Sequence, residues 1–209
     1  MAVTIQWLNH ATFRLSNGGV IYIDPWKISG SDKADVVIVS HSHFDHLSPD
    51  DVARVSGPHT QVVTTPDCAD KIAGVVHPVK PGDTVAIHEI TVEAIPAYNP
   101  HKQFHPKANG WIGVVVTLDG KRVYYAGDTD LIPEMDDLTD IDVALLPVGG
   151  TYTMDAAEAA QATKRFRPRL AVPYHWGDIV GKRSDAEAFA RAAGCPVTVL
   201  EPGEKLELA

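Results

Sequence analysis

Apolar positions along the chain fall into short runs, some alternating and some continuous, punctuated by glycine, proline and asparagine. That is the signature of many short strands with a few helices between them. Val3, Ile5 and Trp7 alternate with polar neighbours, and Ala11, Phe13 and Leu15 take up the alternation again after Asn9-His10. Asn17-Gly18-Gly19 is a hairpin signal, and a returning strand is expected at 20–23. The valine-rich run 34–39 is nearly continuously apolar, as expected of a strand covered on both sides. Further strands are predicted at 61–65, 75–79, 84–87, 90–95, 111–118, 122–126, 142–146, 170–174, 197–200 and 205–208, with Asp119-Gly120 as the turn between 111–118 and 122–126.

Helix signals are fewer. Ser48-Pro49 opens a helix to Val55, with serine as cap and proline at the first helical position. Thr65-Pro66 opens a second, to Ala73. An alanine-rich helix is predicted at 155–165, and another at 185–193 behind Ser184-x-x-Glu187, read as a capping box. Strands crowd the first half, and strands alternate with helices in the second. No linker, charge block or low-complexity segment interrupts them, so residues 1–209 read as one α/β domain with two sheets and outer helices.

Composition narrows the function. With 209 residues, 44% hydrophobic and 22% charged, the chain can bury a core, and intrinsic disorder is excluded. Eighteen Lys and Arg against 27 Asp and Glu give a net charge of −9, which disfavours nucleic acid or an anionic membrane as main partner. No run approaches the ~20 apolar residues of a membrane span. The N-terminus shows neither a charged leader nor a signal-peptide core. Cys68 and Cys195 are the only cysteines and lack metal-type spacing, so a reducing cytoplasm is the expected location. A small molecule is the expected partner, and no feature marks an oligomer interface.

The chemistry concentrates in His41-Ser42-His43-Phe44-Asp45-His46, directly after the 34–39 strand. Side chains two apart in extended chain point the same way, so His41 and His43 can bite one ion. Asp45 and His46 can reach a neighbouring one. Imidazole mixed with carboxylate suits zinc, manganese or iron better than calcium or magnesium. Asp24, Asp128 and His175 each end another apolar strand, and polar groups beyond strand ends collect into one crevice in layered α/β folds. Gly127 and Thr129, on either side of Asp128, suit a tight, exposed turn.

H-x-H-x-D-H after a strand, with Asp24, Asp128 and His175 following in order, resembles the metallo-β-lactamase superfamily. The resemblance implies a four-layer αββα sandwich of two mixed β-sheets with helices on the outer faces. It extends over nearly the whole chain. His10 in Trp7-Leu8-Asn9-His10-Ala11-Thr12 and Asp24-Pro25-Trp26 are similar to the short, single-domain branch that includes ascorbate-6-phosphate lactonase, with phospholipase D enzymes of N-acylethanolamine phospholipids as more distant members. The family's third histidine of the first metal site is missing: Asn99 stands where it would most simply align. Either His105 or His101 folds back, or fewer protein ligands hold that ion. His105, between Phe104 and Pro106, is the expected one.

The resemblance thus implies two divalent ions, zinc first and manganese or iron(II) as alternatives. His41, His43 and His105 would hold one, Asp45, His46 and His175 the other, and Asp128 would bridge. A hydroxide shared by the ions would cleave a small ester, lactone or phosphodiester. Asp45 could also pass a proton to the leaving group. Asp24, His10, Tyr98, Asn99, Lys107 and Trp176 are expected to orient ligands or meet substrate, Lys107 as the rim cation for a phosphorylated one. The alternative is a metal-bound ligand-binding or sensor protein of the same fold without turnover.

Overall fold

The computed structural model describes residues 2–30 and 32–208. Thirteen strands form two sheets. The first sheet contains β1 (Val3–Asn9), β2 (Thr12–Ser16), β3 (Val20–Ile23), β4 (Val36–Val39), β5 (Gln61–Thr64) and β6 (Val75–Pro78), with β13 (Lys205–Leu208) beside β1. The second runs β12 (Leu170–Tyr174), β11 (Val143–Pro147), β10 (Lys121–Tyr125), β9 (Ile112–Leu118), β8 (Ile90–Pro96), β7 (Thr84–Ile87). Both are mixed. β13, β1, β2 and β3 pair antiparallel and β3 to β6 parallel; β7 to β10 pair antiparallel and β10 to β12 parallel.

The side-chain period of two builds the layers. In β4, Val36 and Ile38 enter the main core shared with the second sheet, whereas Val37 and Val39 join a separate outer cluster with Val52, Val55 and Cys68. Those last three come from α1 (Pro49–Val55) and α2 (Pro66–Ala69), which cover the outer face of the first sheet. On the far side, Ala159, Ala160 and Phe166 of α3 (Ala156–Phe166) and Phe189 of α4 (Arg183–Ala192) close over the second sheet, with the Phe166 ring set edge-on against Tyr124 at 5.8 Å. The order helix, sheet, sheet, helix is the αββα sandwich.

Four local expectations need correction. Helix α2 stops at Ala69, not Ala73, because Lys71 and Ile72 bond back in tight turns and Gly74 reverses the chain at φ 111°. Helix α4 starts at Arg183: the Asp185 carboxylate accepts from the Lys182 N–H at 2.7 Å, so Ser184 lies inside the helix and Glu187 pairs with Arg183 instead of capping. The 197–200 segment forms a single bridge, Val197 with Ala171, rather than a strand. Pro196 just before it has no N–H to extend the pairing. The Asp128 turn is tight, with Gly127 at φ 68°, but buried rather than exposed: Asp128 keeps 4% of its surface. No helix of the described residues is long and apolar enough to cross a membrane, and both cysteines are free thiols.

Candidate metal centre

Six segments converge beyond strand ends. His10 follows β1, Asp24 follows β3, the 41–46 run follows β4, the 97–110 segment follows β8, Asp128 follows β10 and His175 follows β12. Within each sheet these strands run in the same direction, so all six deliver their side chains at one end of the sandwich. Three of the residues sit in the left-handed region that non-glycine residues avoid: His10 at φ 33°, Asp24 at 45° and His175 at 62°. Such conformations cost about 1–2 kcal/mol each and persist only where the surroundings impose them. A backbone bond from the His175 N–H to the His10 carbonyl, 3.1 Å, ties two of the strained turns together.

The donors form two groups. His41, His43 and His105 offer ring nitrogens lying within 4.8 Å of one another, and so do His10, Asp45, His46 and His175 with their own ligand atoms. Asp128 lies between the groups. Its Oδ2 is 3.3 Å from His105 Nε2 and 3.2 Å from His175 Nε2, and its Oδ1 is 3.3 Å from His46 Nε2. His41 Nε2 and His43 Nδ1 are 3.2 Å apart. Donors about 2.1 Å from a tetrahedral cation sit about 3.4 Å from each other, so these spacings are those of a ligand shell.

The far sides of the rings are held by the protein. Asp24, wholly buried, accepts four hydrogen bonds: from the Ser40 N–H and hydroxyl, from His46 Nδ1 and from the Tyr125 hydroxyl, all at 2.6–2.7 Å. Because Ser40 Oγ donates to Asp24, it accepts from His41 Nδ1 at 2.9 Å. Asn99 does the same for His105: its Oδ1 accepts from both the His105 N–H, 3.0 Å, and ring Nδ1, 2.9 Å, while its own amide donates to the Tyr152 carbonyl. In each case the proton is placed on Nδ1, leaving the Nε2 lone pair facing inward. The Nε2 atoms of His46, His105 and His175 and Asp128 Oδ1 are buried with no hydrogen-bond partner. A buried orphan costs about 1–3 kcal/mol. Four of them, the three ring nitrogens each within 3.3 Å of an Asp128 oxygen, fit divalent cations in both chemistry and placement.

Residues 4–175 match the family model described as a beta-lactamase superfamily domain. The chain belongs to the metallo-β-lactamase superfamily. It is 33% identical to the UPF0173 metal-dependent hydrolase of Pyrococcus abyssi across 99% of this chain and 100% of that one. It superposes on the structure of Igni18, a metallo hydrolase of Ignicoccus hospitalis, with a TM-score of 0.81 and 28% identity over 100% of this chain and 99% of that one. The metallo-β-lactamase fold protein YhfI of Bacillus subtilis shares the fold at a TM-score of 0.79 and 12% identity, covering 99% and 100% of the two chains. The chain thus falls, over its full length, with the UPF0173 metal-dependent hydrolase family.

Burial and mutual charge set the centre's ionisation. Desolvation, aided by the other histidines, pushes His41 well below the usual imidazole range, and His43 falls for the same reasons. Burial acts on His46 too, but Asp128 and Asp24 outweigh it and raise that ring well above its ordinary value. Burial would raise Asp128; His175 and His46 overcome it and hold the carboxyl well below the carboxylate range. Asp45 is lowered against its burial by a 3.1 Å bond from His10 Nε2.

The expected site residues separate into those gathered and those not. His41, His43, Asp45, His46, His105, Asp128 and His175 converge, with His10, Asp24 and Asn99 bonded to them. His101 is exposed and takes no part in either donor group. Trp176 is buried against Trp7, ring centroids 5.0 Å apart, behind His175. Lys107 and Tyr98 bind Glu134, at 2.7 and 2.9 Å, and neither lines the cleft over the donors. That cleft, about 260 Å³, is lined by His43, Phe44, Asp45, Phe104, His105, Asp128, Tyr152 and Ile179. Sequence reasoning passed over Trp111, whose ring packs within 4.8–5.6 Å of His41, His43 and His105, and over Ser40 and Tyr125. A tryptophan opening an apolar run carries no signal that it backs a histidine cluster.

Proposed function

We propose that the hydrolase cleaves a small carboxylic ester or lactone with water at a two-cation centre, in which His41, His43 and His105 hold one divalent ion, Asp45, His46 and His175 the second, and Asp128 both. The observation that carries this reading is the position of Asp128, its two oxygens within 3.3 Å of His46, His105 and His175 from both donor groups. Bound there, two divalent cations lower the pKa of a shared water to near neutrality and polarise a carbonyl oxygen. Zinc fits the mixed imidazole and carboxylate set, with manganese or iron(II) next.

The protein's own residues do the rest. Ser40 and Asn99 fix the tautomers of His41 and His105 with Nε2 free to act as a donor, and Asp24 holds His46 through Nδ1. Trp111 and the buried strand ends keep bulk water from the histidine side. Asp45, kept anionic by His10, faces the cleft and can accept a proton from water and return it to the leaving oxygen. The sequence has no Gly-x-Ser-x-Gly elbow to compete as nucleophile. The test is hydrolysis of generic ester, lactone and phosphodiester substrates with zinc or manganese added. Chelator abolishes turnover, and Asp128→Ala or His41→Ala lowers it by about 10²–10³-fold or more, as loss of a principal charge-stabilising group does. Full activity in either variant contradicts the assignment.

A further inference from the structure

Four large apolar side chains are exposed among the described residues: Phe44 at 69%, Val75, Phe104 at 37% and Ile179 at 39%. Three of the four stand around the one cleft that opens on the donor groups. They come from different loops, after β4, β8 and β12, so their meeting is a property of the fold and not of one apolar run. Tyr152 joins them, its ring edge-on to Phe104 at 4.8 Å, and Trp26 backs Phe44 at 5.9 Å. Exposed apolar surface gathered at the mouth of a polar site marks a place where a ligand is covered.

Charge points the same way. The cleft lining contains no lysine or arginine; its charged members are Asp45 and Asp128. The cations nearby are engaged elsewhere. Lys102 donates to Asp130 at 2.6 Å and to the Thr153 carbonyl at 2.7 Å, and Lys107 to Glu134. Lys27 lies over the Trp26 ring at 4.0 Å and pairs with Asp178 at 3.0 Å. A phosphate would meet no protein cation here.

We propose that Phe44, Phe104, Tyr152 and Ile179 form the specificity surface for an uncharged ester or lactone whose acyl chain is apolar, and that anionic phosphoesters are poor substrates. This rests on the hydrolase reading above and names its substrate class. In the reaction the water oxygen bonds to the acyl carbon, the acyl C–O bond breaks with its electron pair going to the alcohol oxygen, and a water proton passes to that oxygen. The products are a carboxylic acid and an alcohol, joined as one hydroxy acid when the substrate is a lactone, and the acyl chain stays against the aromatic rim throughout.

The experiment compares p-nitrophenyl acetate, butyrate, hexanoate and octanoate with bis-p-nitrophenyl phosphate on zinc-loaded protein, and titrates the matching carboxylates calorimetrically. A half-enclosed cleft gives about twofold per methylene, so KM for hexanoate falls about 16-fold below acetate, and carboxylate affinity rises in parallel. Phe44→Ser and Ile179→Ser, at exposed positions where folding is not at stake, flatten both dependences. A chain-length-independent wild type, slopes kept in both variants, or faster turnover of the phosphodiester than of every ester overturns the proposal. If no substrate is turned over, the hydrolytic reading fails, and the carboxylate titration still decides whether the rim selects apolar chains.

Discussion

At the scale of single residues, Asn99 shows how one departure from a family pattern is absorbed. Asparagine is a poor ligand for zinc, yet its amide oxygen accepts two bonds from His105 and its amide nitrogen reaches Tyr152. The residue in the histidine's alignment position thus aims a histidine supplied six residues later. Asn99→Ala should lower metal affinity at the His41, His43, His105 group by about 10–100-fold, as loss of such orienting partners does. Competition with a fluorescent zinc chelator measures it. Unchanged affinity would mean that the 97–110 segment holds His105 without help. The H-x-H-x-D-H run, Asp24, Asp128 and His175 were legible because each ends a readable strand. The choice of His105 over His101 turned on the fold of an irregular segment, which carries no periodicity to read.

At the scale of elements, the site depends on close approach between strand ends. A Cβ on Gly149, just past β11, would lie 2.5 Å from the His175 carbonyl oxygen and 3.2 Å from His175 Nδ1. Backbone cannot yield there cheaply, because His175 is already held at φ 62° and bonded to His10. Gly149→Ala should therefore displace His175, lowering activity at least about tenfold while the far-ultraviolet circular dichroism spectrum stays that of the wild type. Wild-type activity in this variant would show that the His175 turn is softer than its geometry indicates. Most strands were predicted within a residue or two because alternation and valine-rich runs report burial directly. The 197–200 strand and the Ser184 cap failed for the same physical reason: a local pattern was satisfied by a competing partner, Pro196 ending one pairing and Asp185 taking the cap.

At the scale of the whole molecule, β4 is buried by the second sheet on one face and by α1 and α2 on the other, and the two sheets share one end that carries a cluster of ionisable groups. The metal-free protein should carry a pH signature. His10, His41 and His43 have folded values below their unfolded ones, so their stabilisation is present above about pH 6.5 and lost as pH falls through the folded values. His46 has the opposite sign: raised in the fold, it stabilises below about pH 6.5 and that contribution fades as pH rises. Three against one, the thermal midpoint of chelator-treated protein should drop between pH 7 and pH 5. A midpoint that rises on acidification would contradict the ionisation described here. Layer order and sheet content followed from patterning and from the family resemblance. The aromatic rim did not, since Phe44, Phe104 and Ile179 become neighbours only when three loops meet.

The most direct test is anomalous diffraction from crystals of zinc-loaded protein. Two peaks roughly 3.5–4 Å apart are expected. One should lie among His41, His43 and His105, the other among Asp45, His46 and His175, with an oxygen of Asp128 between them. Peaks elsewhere, or none within reach of Asp128, would contradict the account.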